Sequence, residues 1–235
     1  MDKLSKDELF VIAMELDLPA ILKLCSSNKK INDRLCLRDT IWVQKLKEFP
    51  DYQEHLEDFK NMNKREIYTL LYQLKSLKEK LVSPYNIYEI YKHKELNLAG
   101  RQLQDIPKEV GSLSNLEKLW VGNNYIRTLP KELGDLINLK ELYLSGNDIQ
   151  ELPKELGNLT NLKELYLGNN KIKSIPKELG NLRNLQELIL SYNQIEQLPK
   201  ELGKLRNLRA LILYNNSIRS IPEEIKSIPY LQIGM

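Results

Sequence analysis

The chain has 235 residues, of which 42% are apolar and 29% are charged, proportions typical of a folded globular protein rather than a disordered one. The formal net charge is only +3, from 35 Lys and Arg against 32 Asp and Glu, so the chain lacks the excess of basic residues that is typical of a nucleic-acid-binding protein. No apolar run reaches the roughly 18 residues of a membrane-spanning helix, and the N-terminus lacks the basic and apolar regions of a secretory signal. We therefore expect a soluble cytoplasmic protein without a nucleic-acid or membrane partner.

The first 46 residues carry apolar side chains at helical spacing. One helical face is predicted around Leu9–Leu16 and a second around Ile21–Cys25, with a break at Leu18-Pro19 between them. A third apolar cluster runs from Ile31 to Leu46 and includes Trp42. The sequence therefore predicts a compact three-helix unit over residues 1–46.

Residues 47–83 are predicted to be a helical linker that also caps the C-terminal part of the chain. Residues 64–82 place their apolar side chains on one face of an amphipathic helix, namely Ile67, Leu70, Leu71, Leu74, Leu77 and Leu81. Ser83-Pro84 is predicted to end this helix because proline disfavours the helical conformation of the residue before it.

From residue 84 the periodicity changes from helical spacing to a repeat of 23 residues. The frame L-x-[LV]-x-x-N-x-[LI]-x-x-[LI]-P returns six times after a half-unit, beginning at Leu96, Leu119, Leu142, Leu165, Leu188 and Leu211. This pattern resembles leucine-rich repeats. The resemblance implies an α/β fold over residues 84–235, a solenoid with a parallel sheet on its concave face and short helical or irregular segments on its convex side.

Within each repeat most positions are explained by packing. In the type unit, Leu142 and Leu144 are predicted to point into the core while Glu141 and Tyr143 point to the opposite face, because successive strand residues alternate. Asn147 is predicted to bend the chain and to bond backbone groups left unpaired at the corner. Candidate functional residues therefore lie between the frame positions.

Two adjacent columns of the predicted concave face are candidates for a partner-binding strip. One is mostly aromatic or aliphatic and contains Trp120, Tyr143, Tyr166, Ile189 and Ile212, and the other is acidic and contains Glu141, Glu164 and Glu187. Exposed aromatic side chains bury a large area at a small entropic cost, so we expect this strip to bind a protein partner. The alternative is that nearly identical units inherited these residues from one ancestral repeat.

The C-terminal end of the repeats has no polar capping helix in the sequence. The chain stops at Met235, before another strand is expected, so the edge near Leu211–Leu213 is predicted to be exposed. Such an edge allows self-association with a second copy, and truncation of the chain explains the pattern equally well.

Residues with catalytic or metal-binding potential are few. Cys25 and Cys36 lie among apolar residues, and we expect both to be free packing thiols in a reducing compartment. His55 and His93 are the only histidines and stand 38 residues apart, without metal-ligand spacing. The acidic column lies on an open face without a cleft to raise a pKa. We therefore expect no metal, no cofactor and no enzymatic activity.

A further resemblance lies at the N-terminus. The apolar spacing from Leu4 to Leu24, followed by Asn28-Lys29-Lys30-Ile31 and Asp39-Thr40-Ile41-Trp42, is similar to an F-box. The resemblance implies that these helices dock onto the Skp adaptor of a cullin-RING ubiquitin ligase while the C-terminal repeats capture a protein substrate. It assigns seven residues to adaptor-facing or motif-core positions, namely Leu4, Leu9, Ile12, Leu16, Leu22, Leu24 and Trp42.

The function implied is that of a substrate receptor whose ligase chemistry belongs to its partners. One alternative is a non-catalytic scaffold that binds a signalling protein such as a small GTPase, with the N-terminal helices serving only as a cap, since the 23-residue frame also resembles intracellular repeat proteins of that kind. Another is a minimal repeat module without a dedicated ligand. F-box-like helices joined to near-identical repeats also resemble proteins of large DNA viruses and intracellular bacteria, which implies a location in a host cell.

Overall fold

The computed structural model describes residues 6–27, 29, 32–37, 39–81 and 86–235. The chain divides into two compact units, Met1–Tyr88 and Glu89–Met235. The first is helical in its described part, and the second contains the sheet.

The first unit contains the helices predicted from apolar spacing. Its α-helices include Lys6–Glu15, Leu18–Ser27, Asp39–Lys45 and Lys64–Leu81, and shorter π- or 3₁₀-helical segments occupy Asn32–Cys36, Leu46–Glu48 and Pro50–Phe59. A further α-helix, Ile87–Lys92, begins at the end of this unit. The amphipathic helix predicted from residue 64 is thereby confirmed, whereas its predicted stop at Ser83-Pro84 lies outside the described residues.

Aromatic side chains form the centre of the first unit. Trp42 and Tyr68 are both buried, with ring centroids 5.9 Å apart, and Phe49 meets the Tyr68 ring edge-on at the same distance. The Trp42 indole N–H donates a hydrogen bond to the Cys36 carbonyl over 2.8 Å, as a buried indole requires. The long helix buries its predicted apolar face against this centre, with Ile67, Leu70, Leu71, Leu74, Leu77 and Leu81 all buried.

Lys45 is a buried cation that joins two helices of the first unit. Its ammonium donates to the carbonyls of Met14 and Leu16, over 2.9 and 2.8 Å, at the C-terminal end of helix Lys6–Glu15. It also pairs with the Glu48 carboxylate over 3.0 Å. All three donors of the ammonium are therefore satisfied, and the carbonyl end of a helix favours a positive charge.

The two cysteines form a disulfide bond. Cys25 and Cys36 are linked with their Cα atoms 6.0 Å apart, so the prediction of two free packing thiols is wrong. Helix Leu18–Ser27 and segment Asn32–Cys36 pack together, which brings side chains 11 residues apart in sequence into bonding distance. Because disulfides persist mainly in oxidising compartments, the cysteines no longer support a reducing one.

Within residues 86–235 the structure forms a seven-stranded parallel sheet in the order β1-β2-β3-β4-β5-β6-β7. The strands are Glu95–Asn97, Lys118–Trp120, Glu141–Tyr143, Glu164–Tyr166, Glu187–Ile189, Ala210–Ile212 and Gln232–Gly234. The chain returns between strands through 3₁₀ helices Lys108–Ser112, Lys131–Asp135, Lys154–Asn158, Lys177–Asn181 and Lys200–Lys204, and through α-helix Glu223–Lys226. The predicted leucine-rich solenoid is confirmed.

The core of the second unit lies behind the sheet. Leu142 and Leu144 are fully buried, whereas Glu141 and Tyr143 are partly exposed on the other face, as predicted. Strands β2 to β6 share this pattern of one buried residue between two partly exposed ones. Each buried leucine contributes roughly 1.5–3 kcal/mol of transfer free energy, so every repeat adds to the stability of its neighbours.

Asparagines form the predicted ladder where each strand turns. The Asn147 amide donates to the carbonyls of Val121 and Leu144 over 3.0 and 2.9 Å, and its oxygen accepts from the Ile126 N–H over 3.1 Å. Equivalent bonds are made by Asn124, Asn170, Asn193 and Asn216. Each asparagine therefore ties its own turn to the preceding repeat.

Strand β7 covers the C-terminal edge of β6. The Leu213 N–H donates to the Gly234 carbonyl over 2.7 Å, and both Leu211 and Leu213 are buried. The predictions that the chain ends before another strand and that Leu211–Leu213 are exposed are wrong. The last unit is one residue shorter than the frame, because Leu211 pairs with Ile233 and not with Gly234, and this shift hid the strand from a search at a fixed period.

Candidate functional site

Two columns of side chains lie side by side on the exposed face of the sheet. The aromatic column comprises Trp120, Tyr143, Tyr166, Ile189 and Ile212, and the acidic column comprises Glu141, Glu164 and Glu187. Consecutive members of each column are in-register partners on neighbouring strands. All are partly exposed, so the structure brings the predicted partner-binding residues together on one surface.

The rings of the aromatic column stack on one another. The ring centroids of Trp120 and Tyr143 are 5.9 Å apart with 16° between their planes, and those of Tyr143 and Tyr166 are 4.6 Å apart with 20° between planes. Aromatic pairs at these separations stabilise each other beyond the area they bury. The three rings therefore form a continuous stack across strands β2, β3 and β4.

Tyrosine hydroxyls tie the aromatic column to the acidic column. The Tyr143 hydroxyl donates to Glu164 over 2.7 Å and lies 3.2 Å from Glu141, while the Tyr166 hydroxyl donates to Glu187 over 2.5 Å. Desolvation, followed by these hydrogen bonds and negative charges, raises the pKa of both tyrosines above its ordinary value. The rings are thus held in a fixed orientation in the free protein.

Lys118 places one cation at the end of the acidic column. Its ammonium lies 3.3 Å from Glu141 and 3.5 Å from Glu95, on the two neighbouring strands, and 5.8 Å from the centroid of the Trp120 ring. The hydrogen bond to Glu141 is the main cause of the raised pKa of Lys118. Among the described residues, no ion pair joins Glu164 or Glu187 to a cation.

A second charged group lies just before the strands begin. Glu117 pairs with Lys140 over 2.5 Å and with Lys94 over 2.9 Å. The hydrogen bonds from Lys140 and Lys94 lower the pKa of Glu117 to about 2. These two lysines are therefore engaged with Glu117.

Two exposed tyrosines in the turns after strands β5 and β6 were missed in the sequence. Tyr192 and Tyr214 are 57% and 48% exposed, and the Tyr192 N–H donates to the Tyr214 carbonyl over 2.7 Å. Tyr192 has φ of +57° at a position where other repeats carry Gly146, Asn169 or Asn215, residues that adopt this conformation more readily. Tyrosine in place of Gly or Asn at this position of the repeat is the feature of the sequence that distinguishes Tyr192.

The residues that the F-box resemblance assigns to adaptor-facing or motif-core positions are distributed between core and surface. Leu9, Leu24 and Trp42 are buried in the first unit, and Ile12 is 36% exposed. Leu16 and Leu22 are half-buried, and Leu4 lies outside the described residues. Val11, Leu37 and Val43 are further exposed apolar residues of this unit.

The exposed sheet face offers apolar contact, hydrogen bonding and ion pairing to a ligand. In the described ranges, no cluster of three or more His, Cys, Asp or Glu side chains is arranged to hold a metal ion. None of the described helices has the length and hydropathy needed to cross a membrane.

Comparison with known proteins identifies the repeats. A family model for the leucine-rich repeat region matches residues 57–190 and 154–233. A leucine-rich repeat protein of Leptospira interrogans, LIC12759, is similar at 46% identity with a TM-score of 0.58. The plant peptide hormone receptor RGFR1, solved in complex with RGF2, is similar at 34% identity with a TM-score of 0.56.

These structural similarities cover 63% of this chain in both cases. They cover 38% of the Leptospira protein and 25% of the plant receptor, so this chain spans much less than the length of either. A search of curated proteins found no match.

Proposed function

Because the chain belongs to the leucine-rich repeat family, we propose that it is a non-catalytic adaptor that binds a protein partner through its exposed sheet face. The observation that carries the proposal is the stack of Trp120, Tyr143 and Tyr166, with the two tyrosine hydroxyls bonded to carboxylates. Tryptophan and tyrosine dominate the binding energy of many interfaces. Rings already fixed in the free protein lose less side-chain entropy when a partner binds.

The plant receptor supports a protein or peptide as the ligand class. It is a peptide hormone receptor in complex with RGF2, and it shares the repeat fold with this chain at 34% identity. Solenoids of this kind present extended surfaces for binding, which agrees with the arrangement of the aromatic and acidic columns.

We further propose that the partner is a substrate of a Skp/cullin-type ubiquitin ligase, with the helices of residues 1–46 docking the Skp adaptor. The helices at Lys6–Glu15, Leu18–Ser27 and Asp39–Lys45 support this proposal, as does the exposure of Ile12 at an F-box position. The ligation chemistry would belong to the assembled partners. This role places the protein in the cytoplasm, and the resemblance to viral and bacterial chains places it in that of a host cell, whereas the Cys25–Cys36 disulfide is more typical of an oxidising compartment.

A second candidate is a scaffold for a signalling protein such as a small GTPase, with the helices only stabilising the chain. Among the described F-box positions Ile12 alone is exposed, which leaves little apolar surface for an adaptor and favours this alternative. The family match also begins at residue 57, beyond the F-box-like helices.

The binding role of the exposed sheet face is tested by replacing Trp120, Tyr143 and Tyr166 together with Ser. We expect capture of the partner from lysate to fall by at least about tenfold, because interface aromatics often contribute more than 1 kcal/mol each. The matched control replaces Tyr125, Ile137 and Tyr230, which are exposed apolar residues outside the strands. Equal capture by the wild type and the strip variant, with unchanged melting temperature, would contradict the proposal.

The F-box role is tested with the full chain and a purified Skp adaptor. We expect the wild type to bind the adaptor and Ile12→Asp to lose this binding, because removing the aspartate carboxylate from water at an apolar contact costs free energy. Leu56→Asp is the control, since Leu56 is also exposed but lies beyond residue 46. Failure of the wild type to bind would leave the scaffold as the better candidate.

A further inference from the structure

The acidic column holds like charges on adjacent strands. Glu141, Glu164 and Glu187 are in-register partners on β3, β4 and β5, and neighbouring strands in a sheet are about 4.8 Å apart. Like charges directly opposite each other destabilise a sheet. A cation bound at this column would relieve the repulsion.

Lys118 shows how this surface binds a cation. Its ammonium lies between the carboxylates of Glu95 and Glu141 and within 5.8 Å of the Trp120 ring. It thus combines an ion pair with a cation–π contact. The same combination of a carboxylate and an adjacent ring recurs on the next two strands, at Glu164 beside Tyr143 and at Glu187 beside Tyr166.

The neighbouring lysines do not fill these two positions. Lys94 and Lys140 are paired with Glu117. In the part of the chain that the structure describes, Lys163 forms no ion pair with Glu164. The tyrosine hydroxyls use only part of the acceptor capacity of Glu164 and Glu187, since an ionised carboxylate has about four lone-pair sites. Both carboxylates can therefore accept further hydrogen bonds from a ligand.

Building on the proposed function, we propose that the exposed sheet face binds an extended, basic protein segment in which two Lys or Arg side chains pair with Glu164 and Glu187. In an extended chain, residues two apart lie on the same side at a separation of about 6.7 Å. This separation is slightly larger than the distance between adjacent strands, and the long, flexible side chains of Lys and Arg span the difference. A ligand with the pattern Arg-x-Arg or Lys-x-Lys therefore fits Glu164 and Glu187. Their aliphatic stems lie along the stacked rings of Tyr143 and Tyr166, as such stems do on apolar surfaces.

The test uses the full chain and fluorescein-labelled peptides measured by fluorescence anisotropy. The probe is Gly-Ser-Gly-Arg-Ile-Arg-Gly-Ser-Gly, with blocked ends, and the matched peptides carry Gln or Glu in place of both arginines. We expect the arginine peptide to bind at least tenfold more tightly than the glutamine peptide and to weaken between 50 and 500 mM salt, concentrations on the order of those that screen exposed charges. The glutamate peptide should not bind.

The paired variant Glu164→Gln and Glu187→Gln should bind the arginine peptide about tenfold more weakly than the wild type does. This is the same ratio as between the arginine and glutamine peptides, because both changes remove the charge-dependent part of binding. The control pair Glu151→Gln and Glu196→Gln removes the same charge at exposed positions outside the strands and should leave the affinity unchanged. Three outcomes would overturn the proposal. One is no binding of the arginine peptide at concentrations up to about 1 mM, on the order of the weakest specific affinities. The others are an unchanged affinity in the paired variant and an affinity for spermidine equal to that for the arginine peptide.

Failure of this inference is distinguishable from failure of the proposed function. If the paired glutamine variant still captures the protein partner while the Trp120, Tyr143 and Tyr166 variant does not, the face binds protein but not through a basic segment. If the aromatic variant also retains capture, the proposed function itself is wrong.

Discussion

At the scale of single residues, two buried tyrosines of the first unit differ in how their hydroxyls are satisfied. The Tyr68 hydroxyl donates to Glu48 over 3.2 Å, whereas the buried Tyr88 hydroxyl finds no hydrogen-bond partner among the described residues. Tyr88 instead stacks on His55 with ring centroids 4.0 Å apart. Burial, followed by the charges of Asp51 and Glu54, raises the pKa of Tyr88 to about 12.

Phenylalanine at these two positions should have opposite effects. Tyr88→Phe removes an unpaired buried hydroxyl and should raise the free energy of unfolding by about 1 kcal/mol, while Tyr68→Phe removes a hydrogen bond to a charged group and should lower it by about 1–3 kcal/mol. Urea denaturation of both variants measures the difference. A loss of stability in Tyr88→Phe would show that its hydroxyl has a partner after all.

Glu117 makes the stability of the second unit sensitive to acid. Its pKa is about 2 in the folded protein against an ordinary value of 4.5, so its contribution is present above pH 4.5 and is lost as the pH falls towards 2. The melting temperatures are compared from about pH 5 to about pH 2, a range that spans both pKa values. Over this range we expect the melting temperature of Glu117→Gln to fall less than that of the wild type. Glu196→Gln is the control for removing a carboxylate, and identical pH profiles for the wild type and Glu117→Gln would contradict the assignment.

At the scale of elements, two asparagine ladders hold the repeats together. The buried ladder was predicted, and a second, exposed ladder runs along Asn115, Asn138, Asn161, Asn184 and Asn207, each of which donates to a carbonyl of the preceding repeat. The ladders differ in burial, and a buried polar group that loses its partner costs more than an exposed one.

Alanine substitutions should reveal that difference. Asn147→Ala leaves the buried Ile126 N–H without its partner, while the carbonyls of Val121 and Leu144 keep their bonds from Asn124 and Asn170, and it should cost about 1–3 kcal/mol. Asn161→Ala removes one exposed bond to the Ile137 carbonyl and should cost less than about 1 kcal/mol. Chemical denaturation followed by circular dichroism measures both, and equal losses would mean that the buried ladder has no special weight.

At the scale of the whole molecule, the two compact units each contain one tryptophan. Trp42 is buried in the first unit, and Trp120 is partly exposed on the sheet of the second. Each unit therefore has its own fluorescent reporter when the other tryptophan is replaced by phenylalanine.

Reduction of the Cys25–Cys36 disulfide should destabilise the first unit. A link across 11 residues stabilises a fold by roughly 3 kcal/mol, mainly through the entropy of the unfolded chain. We expect reductant to lower the denaturation midpoint followed by Trp42 in a Trp120→Phe background. The variant Cys25→Ser with Cys36→Ser should show the lower midpoint from the start and no response to reductant, and a wild-type midpoint insensitive to complete reduction would contradict the prediction.

The repeat architecture and the positions of the two columns could be predicted from the amino-acid sequence alone. Leu142 and Leu144 alternate with Glu141 and Tyr143 along one strand of the repeating frame, and a unit of this size can bury its apolar side only by stacking on its neighbours. Regular periodicity therefore specified the sheet, its register, the Asn147 ladder and the placement of Trp120 beside Tyr143.

Features that depend on contacts between residues that no period relates became visible only in the folded chain. The pairing of Cys25 with Cys36 arises from how two helical segments pack, and strand β7 arises where the last repeat is one residue short. The hydroxyl of Tyr143 lies 2.7 Å from Glu164 on the next strand and 3.2 Å from Glu141 on its own, and the distance to each carboxylate depends on the orientation of the ring in the folded chain. These features depend on the orientation, distance and burial of side chains in the folded chain, and the spacing of residues in the sequence does not predict them.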